Sequence, residues 1–221
     1  MNYTYSTVML MAEKNQPPSL IKAAPSGARS ARIHQLLLEV TGRLLDEGGL
    51  PAATVDAIAA RSGVSKVTIY NHWPSRTAIA ASAFARLMGA AVPVPDTGSL
   101  TGDVTEHLVR LSAFYASEPR GKTFAQLLAA CVDDQAGAAY FREYFLAERD
   151  QVTAQFWRRA LDRGEADPGI DLEEVIDLLA GPLIFRRIAG HRPLSEDGAR
   201  KLARAVLGGL LRRDAPGPAC A

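Results

Sequence analysis

The chain has 221 residues, with 25 Lys and Arg against 24 Asp and Glu and a net charge of +1. A balance this even excludes a protein that coats nucleic acid over its whole surface, while 48% hydrophobic residues are enough to bury a core. Two cysteines, Cys131 and Cys220, supply neither a disulfide framework nor, unaided, a four-ligand zinc site.

Residues 1–28 are rich in Pro, Ser and Ala without periodicity, and Pro17, Pro18, Pro25 and Gly27 block a long helix, so a flexible tail is expected. Met1, Met9 and Met11 are alternative starts. No basic residue precedes the short apolar stretch Val8–Met11, which argues against a signal peptide. No run of about 18 apolar residues occurs, so no membrane span is expected and a cytoplasmic protein is the default.

From Arg29 the pattern becomes helical. Ile33, Leu36, Leu37, Val40 and Leu44 fall on one stripe, and Gly48-Gly49 ends it. Thr54 is a good N-cap for a second helix, with Asp56 in its first turn, and Ser62-Gly63 stops it. Ser65 caps a third helix, KVTIYNHW, closed by Pro74, and Ser75 caps a fourth that starts RTAIAASAFARLM. Pro93, Pro95 and Gly98 form a break. Further helices are predicted at about 100–117, 121–135, 137–165, 171–191 and 195–213, with Asp171 and Ser195 as N-caps. No alternating β-branched run appears, so the fold class is all-α. The predicted organisation is a tail over 1–28, a helix-turn-helix unit over 29–80, a helical regulatory and dimerising domain over 81–214, and a tail over 215–221.

The informative stretch is TVDAIAARSGVSKVTIYNHW, residues 54–73. Two short helices meet across a turn with Gly63, Ala59 is small where they cross, and Val64 and Ile69 can lock the second onto the first. The second helix then presents a polar, donor-rich face suited to phosphates and base edges. A helical hairpin of this kind also occurs as plain core architecture, and geometry alone leaves both readings open.

Residues 29–79 closely resemble the N-terminal domain of the TetR family of bacterial transcriptional regulators. The family run is T-v-x-x-I-A-x-x-a-G-V-s-x-x-t-l-Y-x-H-F-x-s-K, matched here at Thr54, Ile58, Ala59, Gly63, Val64, Ser65, Thr68, Tyr70 and His72. Trp73 stands for the usual Phe, Ile69 for Leu and Arg76 for Lys. The resemblance implies that Thr54, Tyr70, His72 and Arg76 contact phosphates. It also implies that Ser65, Lys66, Val67 and Thr68 open the recognition helix toward bases, with Asn71 reaching either. Charge agrees: residues 1–92 hold 9 Lys and Arg against 5 Asp and Glu, the remainder 16 against 19.

Residues 100–213 resemble the family's C-terminal regulatory domain through Arg163-Gly164-Glu165, Asp171-Leu172 and VIDLLAGPLIFRRIAGHRPLSE. The resemblance implies a homodimer built by the last two helices, with Leu179, Leu183, Arg186, Leu202, Val206 and Leu210 at the interface. Pro182 should kink the first of them. The central aromatics read as core, with some lining a cavity for a small-molecule effector. Candidates are His107, Arg110, Phe114, Cys131, Phe141, Tyr144, Phe145, Gln155 and Trp157.

Enzyme motifs fail. Gly121-Lys122-Thr123 matches the end of a P-loop, but the required earlier glycine would be residue 116, an alanine. No HExxH, GxSxG or CxxC is present, the four histidines lack metal-like spacing, and no cofactor or metal is expected. The expected partners are double-stranded DNA with a palindromic operator, an unidentified effector and a second copy of the chain. A DNA-binding protein without an effector, or an activator, is the alternative.

Overall fold

The computed structural model describes residues 20–23 and 26–210, and among these there is helix but no strand. Helix α1 is Ala28–Ala52, α2 Val55–Ser62, α3 Lys66–His72 and α4 Arg76–Ala91. Then follow α5 Leu100–Ala116, α6 Arg120–Asp133 and α7 Gln135–Tyr140. A π-helical segment, Phe141–Leu146, leads without a break into α8 Ala147–Asp162. Helices α9 Leu172–Ala189 and α10 Glu196–Leu210 complete the chain.

The helix starts follow local chemistry. The hydroxyls of Thr54, Ser65, Ser75, Ser99 and Ser195 each accept from the backbone N–H three residues on, at 3.1–3.2 Å. Asp171 sits at the N-cap of α9 in extended conformation but makes no side-chain cap bond. Asp134 caps α7 by accepting from Gly137 N at 2.8 Å, and hydroxyl bonds from Ser75 and Thr77 tie it to the start of α4. At the end of α1, Gly49 takes φ 68, and a Cβ there would stand 2.7 Å from Gln126 Oε1. That oxygen accepts from Leu50 N at 2.9 Å, joining α1 to α6. Helix α9 continues across Pro182.

Helix α4 is the hub. Ala78, Ile79, Ala80, Ala81, Ala83, Phe84 and Ala85 are all buried, so it is enclosed on nearly every side. Its small side chains let α1 approach on one flank and α7 with the π segment on the other. Helix α5 is the second hub, packed on α10, α9, α6 and α8. One continuous apolar core joins the two groups of helices. No helix among the described residues is long and apolar enough to cross a membrane.

Residue 20–23 backbone is also described, within the stretch expected to be a flexible tail. Lys22 N donates to Tyr140 Oη at 2.9 Å, and its ammonium donates to the Tyr70 carbonyl at the end of α3. Residues 1–19, 24–25 and 211–221 lie outside the described residues, as do Cys220 and the alternative starts.

Candidate DNA-binding surface

Helices α2 and α3 meet at Gly63, which takes φ 70 and ψ 12 and whose N–H closes α2 on Ala59 O at 3.0 Å. The turn is tightened by Val64 N donating to Ser62 Oγ at 3.2 Å. Ile58 on α2 and Ile69 on α3 are fully buried and face the core formed with α1. With Ile69 inward, the opposite side of α3 faces solvent. Ser65, Lys66, Val67, Tyr70 and Asn71 are exposed, and Thr68 is half-buried. Val67 is 71% exposed and Tyr70 46%.

Trp73 is the wedge that fixes the end of α3. It is buried, its Nε1–H donates to Ser82 Oγ at 3.1 Å, and Ser82 in turn donates to Ala78 O at 3.0 Å. The ring of His34, from α1, stacks on Trp73 at 4.2 Å. Nδ1 of His34 also lies 3.4 Å from Nδ1 of His72. Burial pulls both histidines below the usual imidazole value. Their mutual charge lowers His34 further, and Lys22 lowers His72 further. The His72 ring is therefore half-buried against His34, a contact that sequence spacing did not reveal.

Thr54 and Ser65 lie at the N-caps of α2 and α3, and Arg76, half-buried, opens α4 beside the Ser75 cap. Thr54, Ser65 and Ser75 cap the N-termini of α2, α3 and α4, each the positive end of a helix dipole. Lys66 forms an ion pair with Asp56 of α2, which holds its ammonium above the usual lysine value and anchors it at the hairpin.

The residues expected at an interior cavity are dispersed. His107, Phe114, Phe141, Phe145 and Trp157 are buried in the continuous core. Phe141 stacks on Phe145 at 4.7 Å, and Phe145 on Phe84 at 5.5 Å. Tyr144 is 40% exposed and stacks on Tyr140. Gln155 faces solvent on α8, away from the core, because the buried positions of that helix are Arg149, Val152, Thr153, Phe156, Trp157 and Ala160. Arg110 pairs with Glu106 and lines a surface groove beside α10. Cys131 is half-buried, and burial raises its thiol above the usual value, against a reactive thiolate.

The interface expectation on α9 needs a correction. Leu179 and Leu183 are buried against the protomer's own core and cannot meet a second copy. The side of α9 left open carries Leu178, Phe185 and Ile188, 47%, 63% and 57% exposed, with Gly181 between them. Arg186, Leu202 and Val206 are half-buried, Leu202 and Val206 packing on the core, and the Leu210 side chain lies outside the described residues.

Two family models match the chain. One described as "Bacterial regulatory proteins, tetR family" covers residues 37–83, and one described as "Tetracyclin repressor-like, C-terminal domain" covers residues 94–206. The HTH-type transcriptional regulator YdeS of Bacillus subtilis is 31% identical over 82% of this chain and 91% of its own. The HTH-type transcriptional regulator Rv1556 of Mycobacterium tuberculosis is 35% identical over 77% of this chain and 84% of its own. The crystal structure of the TetR family transcription regulator SCO0332 superposes with a TM-score of 0.75 at 27% identity, covering 80% of this chain and 98% of that one.

Proposed function

The chain belongs to the TetR family of helix-turn-helix transcriptional regulators, and on that premise we propose that it is a homodimeric repressor released from a palindromic operator by a small-molecule effector. The observation that carries the reading is the exposed side of α3. Val67 is 71% exposed and Tyr70 46% exposed on a helix seated by buried Ile69 and Trp73. In this reading Ser65, Lys66, Val67 and Thr68 enter the major groove, where Val67 meets a thymine methyl. Thr54, Tyr70, His72 and Arg76 hold phosphates on either side, with Asn71 at the groove edge. The relatives are regulators, not enzymes, and the protein acts in the cytoplasm.

Dimerisation is supported by α9. Glu174, Leu178, Gly181, Phe185 and Ile188 follow one another on a single open stripe of α9, acidic at its start, while the last turn carries Arg186 and Arg187. Two copies laid antiparallel about a two-fold axis bring each acidic end onto a basic end and bury the apolar middle. A groove of about 580 Å³ lined by Ile170, Glu174, Asp177, Leu178 and Pro182 lies beside the stripe, open to receive Phe185 of a second copy.

The test uses substitutions of two kinds. Tyr70→Ala and Arg76→Ala are expected to weaken binding to every DNA sequence, whereas Val67→Ala is expected to relax preference at one base pair. Binding unchanged by all three would remove α3 and the start of α4 from the contact. An activator reading is separated by whether transcription from the bound promoter rises on deletion of the gene, as a repressor requires.

A further inference from the structure

Residues 20–23 bridge α3 and α7 and are pinned at two points. Ile21 packs on the continuous core, and Lys22 N donates to Tyr140 Oη at 2.9 Å. Tyr140 is itself buried and stacks on Tyr144 at 5.5 Å, so the acceptor is held in place.

From there the Lys22 side chain reaches the end of α3. Its ammonium donates to the Tyr70 carbonyl. Burial first, and then the Lys22 charge, hold the His72 imidazole below its usual value, which places that charge near the ring. Part of the contact is plain helix capping, since a cation suits the negative end of a helix dipole. Capping uses one of the three ammonium donors, and the side chain stays exposed. No carboxylate among the described residues pairs with it. Two cations of the hairpin differ in this respect, because Arg61 pairs with Glu47 and Lys66 with Asp56. A bond to one solvated carbonyl returns little against the rotamer freedom that a long exposed side chain loses.

The end of α3 also needs a charge if it is to hold a phosphate. A phenol and a neutral imidazole, as at Tyr70 and His72 at pH 7.5, offer hydrogen bonds only. Affinity for the DNA backbone comes chiefly from Lys and Arg groups that displace counterions. An ammonium fixed between the Tyr70 carbonyl and the His72 ring supplies what those two side chains lack.

We propose that Lys22 is a further DNA-contact residue: residues 20–23, pinned through Ile21 and the Tyr140 hydroxyl, hold its ammonium at the end of α3, where it pairs with the backbone phosphate that Tyr70 and His72 address. This rests on reading α3 as the DNA-contacting helix. Tyr140 is then a positioning residue, acting on the DNA only through the backbone of Lys22.

The test is fluorescence anisotropy of the full-length protein on a fluorescein-labelled, mixed-sequence duplex of about 30 base pairs, at pH 7.5 and about 50–200 mM KCl. One phosphate contact per protomer contributes about 0.9 to the slope of log Kd against log salt, or about 1.8 for a bound dimer. Lys22→Met is expected to lower the slope by about 1.8, so its loss of affinity shrinks about tenfold from the bottom of that range to the top. Lys22→Arg is expected to keep the slope. Lys122→Met, which removes the same charge from an exposed position on α6, is expected to leave it unchanged. Tyr140→Phe is expected to lower the slope in wild type and to add nothing in Lys22→Met. A Lys22→Met slope within about 0.3 of wild type would overturn the proposal, and a Tm lowered by more than about 2 °C at that unchanged slope would make Lys22 a helix cap alone. A drop shared by Lys22→Arg or by Lys122→Met, or a Tyr140→Phe effect undiminished in Lys22→Met, would also overturn it. Arg76→Ala in the same assay separates the two readings. A slope lowered by Arg76→Ala but not by Lys22→Met removes the Lys22 contact and leaves α3 and α4 on the DNA. A slope moved by neither takes that whole surface off the DNA.

Discussion

Phe185 is the side chain whose loss should separate the two copies. It is 63% exposed in the single chain, about 125 Å² of a side chain of about 200 Å². At about 25 cal/mol per Å², covering it contributes about 3 kcal/mol, and a two-fold interface counts it twice, about 6 kcal/mol. Buried area converts to affinity incompletely, because ordering and desolvation oppose it, and half of that figure leaves about 3 kcal/mol. Phe185→Ala is therefore expected to raise the dimer dissociation constant about a hundredfold, and Phe185→Glu further, since it places a carboxylate in the apolar middle of the stripe. Sedimentation equilibrium across a concentration series reads this directly. Leu183→Ala makes the contrast. Its side chain is fully buried in its own protomer, so it should cost about 2–5 kcal/mol of fold stability by leaving a cavity. A dimer constant unchanged within twofold in both Phe185 variants would refute the assignment of this side of α9.

Three further outcomes follow from the packing and the buried charges. Trp73→Phe removes the bond to Ser82 and part of the buried volume, and should cost about 1–2 kcal/mol in urea unfolding. Trp73→Ala should cost about 3–5 kcal/mol, and a loss below about 1 kcal/mol would mean the wedge is not packed as described. His107 binds its proton near pH 4 when folded and near 6.5 when unfolded, so its contribution is complete above pH 6.5 and lost as pH falls toward 4. The Tm of wild type should fall more steeply over that window than the Tm of His107→Gln, and parallel curves would contradict the burial of this ring. Gly121→Ala places a Cβ 1.9 Å from the Tyr115 carbonyl, a backbone atom that cannot step aside, and should cost about 2 kcal/mol or more in the same urea assay.

Much of the architecture was legible in the sequence because it is local. Thr54, Ser65, Ser75 and Ser195 announce helix starts by their own hydroxyls, and Gly63 announces the turn by its conformation. What periodicity could not resolve was α9. Apolar side chains occur nearly all the way round it, so Leu179 and Leu183 looked as suitable for a partner as Leu178, Phe185 and Ile188. The positions of α5, α8, α10 and α6 decide which stripe is already covered. The His34–His72 and Lys22–Tyr140 contacts join residues 38 and 118 positions apart, and no local pattern marks them.

The central claim is that two copies of α3 read DNA together. Selection of binding sites from random duplex DNA by the full-length protein, followed by sequencing, tests it most directly. The expected result is an inverted repeat whose half-sites lie about one helical turn apart, with preference at one symmetric pair of positions relaxed in Val67→Ala. Enrichment of no symmetric sequence, or of one that Val67→Ala leaves untouched, would contradict it.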